Sequence, residues 1–298
     1  MTSPHEAARA SAASTLVNGI ALKFHEPSSA SRPRAVETTP VLLLHGIGGN
    51  ADTFSGVAPR LAGAGWRVVA WDAPGYGESE DPTSQVTGAD SAGTYVDIVA
   101  GLLGALDAER AHLVGVSWGG VLAIHVAARR PELVASLSLL DSTRGSGTAL
   151  EKAAAMRGRV AELEELGGPA FAAKRAPRLL AEHPEPVAAA EVERQMSQVR
   201  VPGYSGAAEM MAQSDTGPLL AQLDVPTLVL VGDEDQVTGV DESRLLAREI
   251  PGARFGLVNR AGHAAVQERP AEVAEALLSF LAGFVEAAGV TAREGAVR

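Results

Sequence analysis

The sequence predicts an α/β fold: an open, mostly parallel, doubly wound sheet with an inserted helical cap. Three observations carry the prediction. Short, continuously apolar runs recur from Val41 onward, as expected of strands covered on both faces. The segments between them are long enough for crossover helices. One long stretch, 143–216, is rich in Ala, Glu and Arg and holds no strand candidate.

In chain order, residues 1–14 are Ala/Ser-rich without apolar period and read as a mobile leader. From Leu16 to Phe24 two β-prone stretches flank Asn18-Gly19, a type I′ hairpin signal that places an antiparallel edge at the start of the sheet. Glu26 to Pro40 reads as a surface loop from its Pro, Ser and Arg content. The parallel strands are expected at Val41–Leu44, Trp66–Trp71, His112–Val116, Val134–Leu140, Thr227–Val231 and Arg254–Val258. The division that follows is a core of 15–142 and 217–286, a helical cap over 143–216 that roofs the site, and a mobile tail over 287–298. There is no internal repeat.

Composition narrows the chemistry. The formal net charge of −11 is spread along the chain and disfavours a polyanion, so nucleic acid is not an expected partner. No apolar run approaches the roughly 20 residues needed to span a bilayer, and Met1 to Ser14 lacks the apolar core of a secretory signal, so a cytoplasmic protein is expected. Without cysteine there is no thiolate nucleophile or thiolate metal site. Metal-ligand spacing and Gly-rich phosphate loops are also missing, and no cofactor is called for. Association with further copies of the chain is left open.

Gly115-Val116-Ser117-Trp118-Gly119-Gly120 follows one apolar run and opens a helical stretch that ends near Arg130-Pro131. In a chain with 32 glycines, G-x-S-x-G alone is weak evidence. Between a strand and a helix it is the pattern of a sharp turn that lifts Ser117 above the sheet, with small residues two positions either side. Leu44-His45-Gly46-Ile47-Gly48-Gly49 ends the first parallel strand, where a loop amide can help hold an oxyanion. The two expected donors are the backbone N–H groups of Ile47 and Trp118, leaving their side chains free to serve the substrate pocket. His45 reads as structural. His263, in Ala261-Gly262-His263, lies between the last strand and the helix starting near Pro270. From there an imidazole can reach Ser117, take its proton and return it to a leaving group.

The acid that would orient His263 falls in Gly232-Asp233-Glu234-Asp235 after the Thr227 strand. Asp235 is favoured, with Asp233 next and Asp141, at the end of the Val134 strand, as a further alternative. Asp72, in Trp71-Asp72-Ala73-Pro74-Gly75, reads as a residue that bonds backbone in its own turn.

With HGIGG, WDAPGYGES, GVSWGG, GDEDQVT and AGHAAVQERP in this order from Leu16 to Phe284, the chain resembles the α/β-hydrolase superfamily. Pro202 to Ala208 and Leu223 to Thr227 resemble the 3-oxoadipate enol-lactonase and non-haem haloperoxidase-like branch. Trp118 departs from that branch, which more often has methionine there, and GVSWGG is also similar to intracellular polyhydroxyalkanoate depolymerases. The resemblance implies hydrolysis of a small carboxylic ester or lactone through an acyl-enzyme. An enol-lactone bears a carboxylate, and Arg144 is the candidate to bind it. The alternatives are carbon–carbon bond hydrolysis of ring-cleavage products, cofactor-free oxygenation with a His/Asp dyad, and a non-catalytic ligand receptor on the same fold.

Overall fold

A computed structural model describes residues 14–26, 39–82 and 84–294, with side chains up to Phe284. Its centre is an eight-stranded sheet: β1 Ser14–Val17, β2 Ile20–His25, β3 Val41–Leu44, β4 Val68–Trp71, β5 Ala111–Val116, β6 Val134–Leu140, β7 Thr227–Gly232 and β8 Arg254–Val258. The spatial order is β1-β2-β4-β3-β5-β6-β7-β8. β1 pairs antiparallel with β2, and β2 antiparallel with β4, while β3 to β8 run parallel to one another.

The first hairpin closes with Val17 opposite Ile20 and with Asn18 and Gly19 both left-handed, at φ 52° and 77°. That is the type I′ geometry which matches strand twist. The strand expected from Trp66 begins two residues later, at Val68, because Trp66 N–H is drawn back to the carbonyl of Leu61.

The helices are α1 Ala58–Gly63, α2 Ser91–Ala105, α3 Trp118–Arg129, α4 Leu150–Arg175, α5 Pro186–Ser197, α6 Val201–Gln213, α7 Gly217–Leu220, α8 Val240–Glu249, α9 Ala265–Glu268 and α10 Pro270–Glu294. α4 is two helices joined at Gly167, whose φ of 69° breaks the run just before Pro169. α10 continues past 287, where a tail was expected, because Ala, Glu and Arg in 286–294 favour helix. The expected leader up to residue 13, the loop over 27–38 and positions 295–298 lie outside the described residues.

Alternation along the strands divides the core between the two faces of the sheet. Leu42, Leu44, Val69, Trp71 and Leu113 join one cluster with α2 and α3, whereas Val41, Leu43, Val68, Ala70, Val114 and Val116 join the other with α1 and α10. β4 lies on one side of β3 and β5 on the other. The strand order therefore reverses there, and in open α/β sheets a crevice opens beyond the carboxyl ends of such strands. The loops after β3 and β5 both empty into it. α4, α5 and α6 lie between β6 and β7 in the chain. Their residues Met156, Val192, Met196 and Tyr204 line the same space as Ser117.

Candidate active site

Ser117 follows β5 and caps α3 with φ 51° and ψ −113°, a conformation that strains any residue with a side chain. The turn is tight enough to exclude side chains around it. A Cβ on Gly115 would fall 2.3 Å from the carbonyl oxygen of Gly119, and one on Gly119 would fall 2.1 Å from that of Leu44. The glycine spacing read in the sequence is therefore a packing requirement. Ser142 Oγ donates to the Ser117 carbonyl at 3.0 Å and Ser117 N–H to Leu140 at 2.9 Å, holding the turn against β6.

His263 sits in the loop between β8 and α9 and is buried. Its Nε2 lies 3.0 Å from Ser117 Oγ and its Nδ1 3.0 Å from Asp235 Oδ2. Burial pushes the Asp235 carboxyl up, but the hydrogen bond and charge of His263, aided by Thr238 and the Val237 amide, outweigh it and hold the group at about 2. Asp235 is thus an anion at neutral pH. It accepts from Nδ1–H, so Nε2 presents its lone pair and accepts from Ser117 Oγ–H. The carboxylate is itself fixed by the amides of Val237 at 2.7 Å and Thr238 at 3.2 Å, and by Thr238 Oγ1 at 2.6 Å.

Of the three candidate acids, Asp235 is the one hydrogen-bonded to His263. Asp233 is exposed and, among the described residues, its carboxylate accepts only from the Ala261 amide, at 3.3 Å. Asp141 is buried and accepts from Gly232 N–H at 2.8 Å, and no hydrogen bond joins it to His263. Burial and the nearby charge of Asp235 push the Asp141 carboxyl well up.

The loop after β3 brings Gly46 against Ser117, where an added Cβ would sit 3.4 Å from the serine Cβ. The next residue, Ile47, lines the cavity, and the Tyr76 hydroxyl donates to its carbonyl at 2.9 Å, fixing that peptide. Among the described residues neither Ile47 N–H nor Trp118 N–H has a hydrogen-bond acceptor. Trp118 opens α3, where amides are left unpaired and the helix dipole is positive. His45 ties this loop to the next: its Nε2 accepts from Ala73 N–H at 3.0 Å, so its Nδ1–H donates to the Gly46 carbonyl at 2.7 Å. Burial lowers its pKa, and the ring is a neutral strut. Asp72 bonds its own turn at Glu78 N–H and, across to the next loop, Ala51 N–H.

Two expectations are corrected. The Trp118 side chain does not serve the pocket: it is fully buried under the site, stacked on Trp71 and Tyr76 and edge-on to Tyr95, with Nε1 against Met210 Sδ at 3.2 Å. Arg144 does not line the cavity either. Its Nε and Nη2 donate to Oε1 and Oε2 of Glu242, at 2.9 and 3.1 Å, and its amide donates to Oε1 at 3.0 Å, so its charge is already paired with a carboxylate.

Glu268 and Thr238 belong to the site and were not singled out in the sequence. Glu268 is buried and accepts from Ala181 N–H at 2.9 Å and from Gly262 N–H at 2.7 Å, joining the segment before α5 to the residue preceding His263. The Leu179 carbonyl also receives Ala264 N–H at 2.8 Å. The histidine loop is therefore anchored on both sides. Thr238 was legible as the hydroxyl three residues after Asp235, the spacing at which a loop folds back on its own carboxylate.

Above Ser117 and His263 lies a cavity of about 380 Å³, with Ile47 and Val116 below and Met156, Val192, Met196 and Tyr204 above. Thr53 Oγ1 donates to Gln195 Oε1 at 2.9 Å, linking α5 to the core beside it. Among the described residues no group of three or more His, Asp or Glu is placed to hold a metal ion, and no helix is long and apolar enough to cross a membrane.

Comparison with known proteins agrees with this fold. The pattern of the alpha/beta hydrolase fold family matches residues 39–270. Lipase 1 of Psychrobacter immobilis is 27% identical over 272 residues, spanning 89% of this chain and 82% of its own. A thermophilic esterase from Thermogutta terrifontis superposes with a TM-score of 0.76 at 29% identity, over 92% of this chain and 97% of its own. The enol-lactonase of Burkholderia xenovorans, at 24% identity and a TM-score of 0.77 over 91% and 100% of the two chains, shares the fold.

Proposed function

Because the chain belongs to the alpha/beta hydrolase fold family, we propose that it hydrolyses a small carboxylic ester or lactone through an acyl-enzyme, with Ser117 as nucleophile, His263 as base and Asp235 as the orienting acid. The observation that carries the reading is the pair of 3.0 Å hydrogen bonds joining Ser117 Oγ, His263 and Asp235 in one line.

Ser117 Oγ attacks the substrate carbonyl carbon while His263 Nε2 takes its proton. The resulting imidazolium is stabilised by the Asp235 carboxylate. The amides of Ile47 and Trp118 receive the negative charge on the carbonyl oxygen, the Trp118 donor reinforced by the start of α3. Collapse of the intermediate breaks the bond to the alkoxy oxygen, which takes the proton from Nε2. For a lactone that alcohol stays on the acyl chain. Water then gives a proton to Nε2, attacks the acyl carbon and releases the acid, restoring Ser117. A cavity of about 380 Å³ with mixed apolar lining suits a short acyl chain.

The test is hydrolysis of p-nitrophenyl acetate and butyrate by wild type and Ser117→Ala, with the pre-steady-state phase recorded. A burst equal to the enzyme concentration, or steady turnover that the variant loses by at least about a thousandfold, is the expected result. Equal rates for the two proteins would remove Ser117 as nucleophile and end this reading.

A further inference from the structure

The cavity above Ser117 is lined by cations in a chain of formal charge −11. Lys152 and Arg159 stand on one face of the first half of α4, with Ala155 and Met156 between them at helical spacing, and all four line the cavity. Arg175, at the end of α4, and Arg178, in the turn that follows, line it as well. Not all of this charge is free. Arg175 is bonded to Glu162, and Glu242, the acid in the lining, is taken by Arg144. Among the described residues, Lys152, Arg159 and Arg178 have no carboxylate within salt-bridge reach. Arg159 is half-buried, whereas Lys152 and Arg178 are exposed.

The buried Tyr204 phenol is pushed up by burial, while the charges of Arg159 and Arg175 and a hydrogen bond with Arg159 pull it the other way; all three side chains line the cavity. A half-buried guanidinium whose neighbour is a neutral buried phenol rather than a carboxylate, over an otherwise apolar wall of Met156, Val192 and Met196, is completed by an anion. The apolar wall fits an aliphatic chain, and one half-buried guanidinium without a carboxylate partner fits one charge on it.

We propose that the substrate is a carboxylate-bearing ester or lactone whose acid group is held by Arg159, with Lys152 and Arg178 drawing the anion in from solvent; this rests on the hydrolase reading above. Electrostatic steering of this kind weakens with salt, and a hydrogen-bonded charge pair in a half-buried site is expected to discriminate by at least about tenfold.

The probes are 4-nitrophenyl hydrogen adipate and its neutral counterpart, 4-nitrophenyl methyl adipate, with adipate itself titrated by calorimetry. The expected result is a kcat/KM at least about tenfold higher for the acid in wild type, a preference that shrinks in 0.5 M NaCl, on the order of the screening at that salt. Arg159→Gln should bring the ratio close to one, and Arg159→Lys, which keeps the charge, should retain part of it. Adipate should bind wild type and lose that binding in Arg159→Gln. A wild-type ratio near one, or a ratio that Arg159→Gln leaves unaltered, overturns the proposal. If Arg159→Gln does not fold, the salt response of wild type and the Arg159→Lys ratio decide in its place. If neither ester is turned over, the hydrolase reading has failed; Arg159-dependent adipate binding would still uphold the anion subsite, and its absence would overturn that too.

Discussion

Glu268 Oε2 accepts the amide hydrogen of Gly262 at 2.7 Å, one residue before His263, while its other oxygen holds Ala181 N–H at 2.9 Å. One buried carboxylate thus fixes the histidine loop and the segment before α5 together. Glu268 bonds neither Ser117 nor His263 directly, so in the proposed mechanism it acts through His263 as a positioning residue. Glu268→Gln keeps the size but offers a single acceptor oxygen, so one of the two amides loses its partner. Because small displacements of a catalytic base are costly, kcat should fall by about tenfold or more. KM should stay within about twofold, since the cavity walls are untouched. Steady-state kinetics beside a thermal melt checks this: a lower melting temperature with unchanged kcat would leave Glu268 a purely structural brace.

Asp235→Asn tests the proposed orienting acid. It removes the charge that His263 Nδ1–H meets at 3.0 Å and can present a donor there instead. By the logic of a misoriented, unsupported imidazole, kcat should drop on the order of 10³- to 10⁴-fold. Asp233→Asn, at an exposed position whose carboxylate accepts, among the described residues, only from the Ala261 amide, should cost less than about threefold. Parallel kinetics of the two variants checks the assignment, and a larger loss in Asp233→Asn would reverse it.

Asp141 gives a pH dependence of stability whose sign follows from its surroundings. Burial and the Asp235 charge raise its folded pKa well above the ordinary 3.8. Between those two values the unfolded chain has lost a proton that the folded protein keeps. This contribution to stability is therefore whole below about pH 3.8 and declines as pH rises toward the folded value. Asp141→Asn removes the ionisation, and Asn tolerates the φ of 47° found there. The variant should gain on wild type as pH rises, its melting temperature relative to wild type being higher at pH 8 than at pH 5 by roughly 2–4 °C per kcal/mol involved. Thermal melts at the two pH values measure it, and a gap that narrows toward pH 8 contradicts the raised pKa.

Ser117 and His263 could be read from the sequence because their constraints are local: two glycines where backbone passes within contact of a strand end, and a histidine loop after the last strand. Asp235 was favoured over Asp233 but no local pattern separated the two, since they share one loop and only the fold decides which meets His263. Arg144 was misread because its partner, Glu242, lies 98 residues away in α8, beyond the reach of any local pattern. Arg159 was overlooked for a similar reason, although its seven-residue spacing from Lys152 marked a shared helix face. Which face of α4 looks into the cavity is set by its packing on α5 and α6.

The direction of Trp118 shows the same limit and carries a further prediction. As the first residue of α3 it contributes its amide above the sheet, while its indole turns down among Trp71, Tyr76 and Tyr95. Side chain and backbone at this position therefore answer to different demands. Trp118→Ala should lower unfolding stability by about 3–5 kcal/mol, the cost of a large cavity in a packed core. Trp118→Phe, which keeps an aromatic ring but gives up the Nε1 contact with Met210, should cost less. Because the amide donor is common to both variants, Trp118→Phe should keep the wild-type ratio of kcat/KM between p-nitrophenyl acetate and butyrate within about twofold. Urea unfolding and the two-substrate ratio together decide the point: an altered acyl-chain preference with little loss of stability would put the indole in the pocket rather than beneath it.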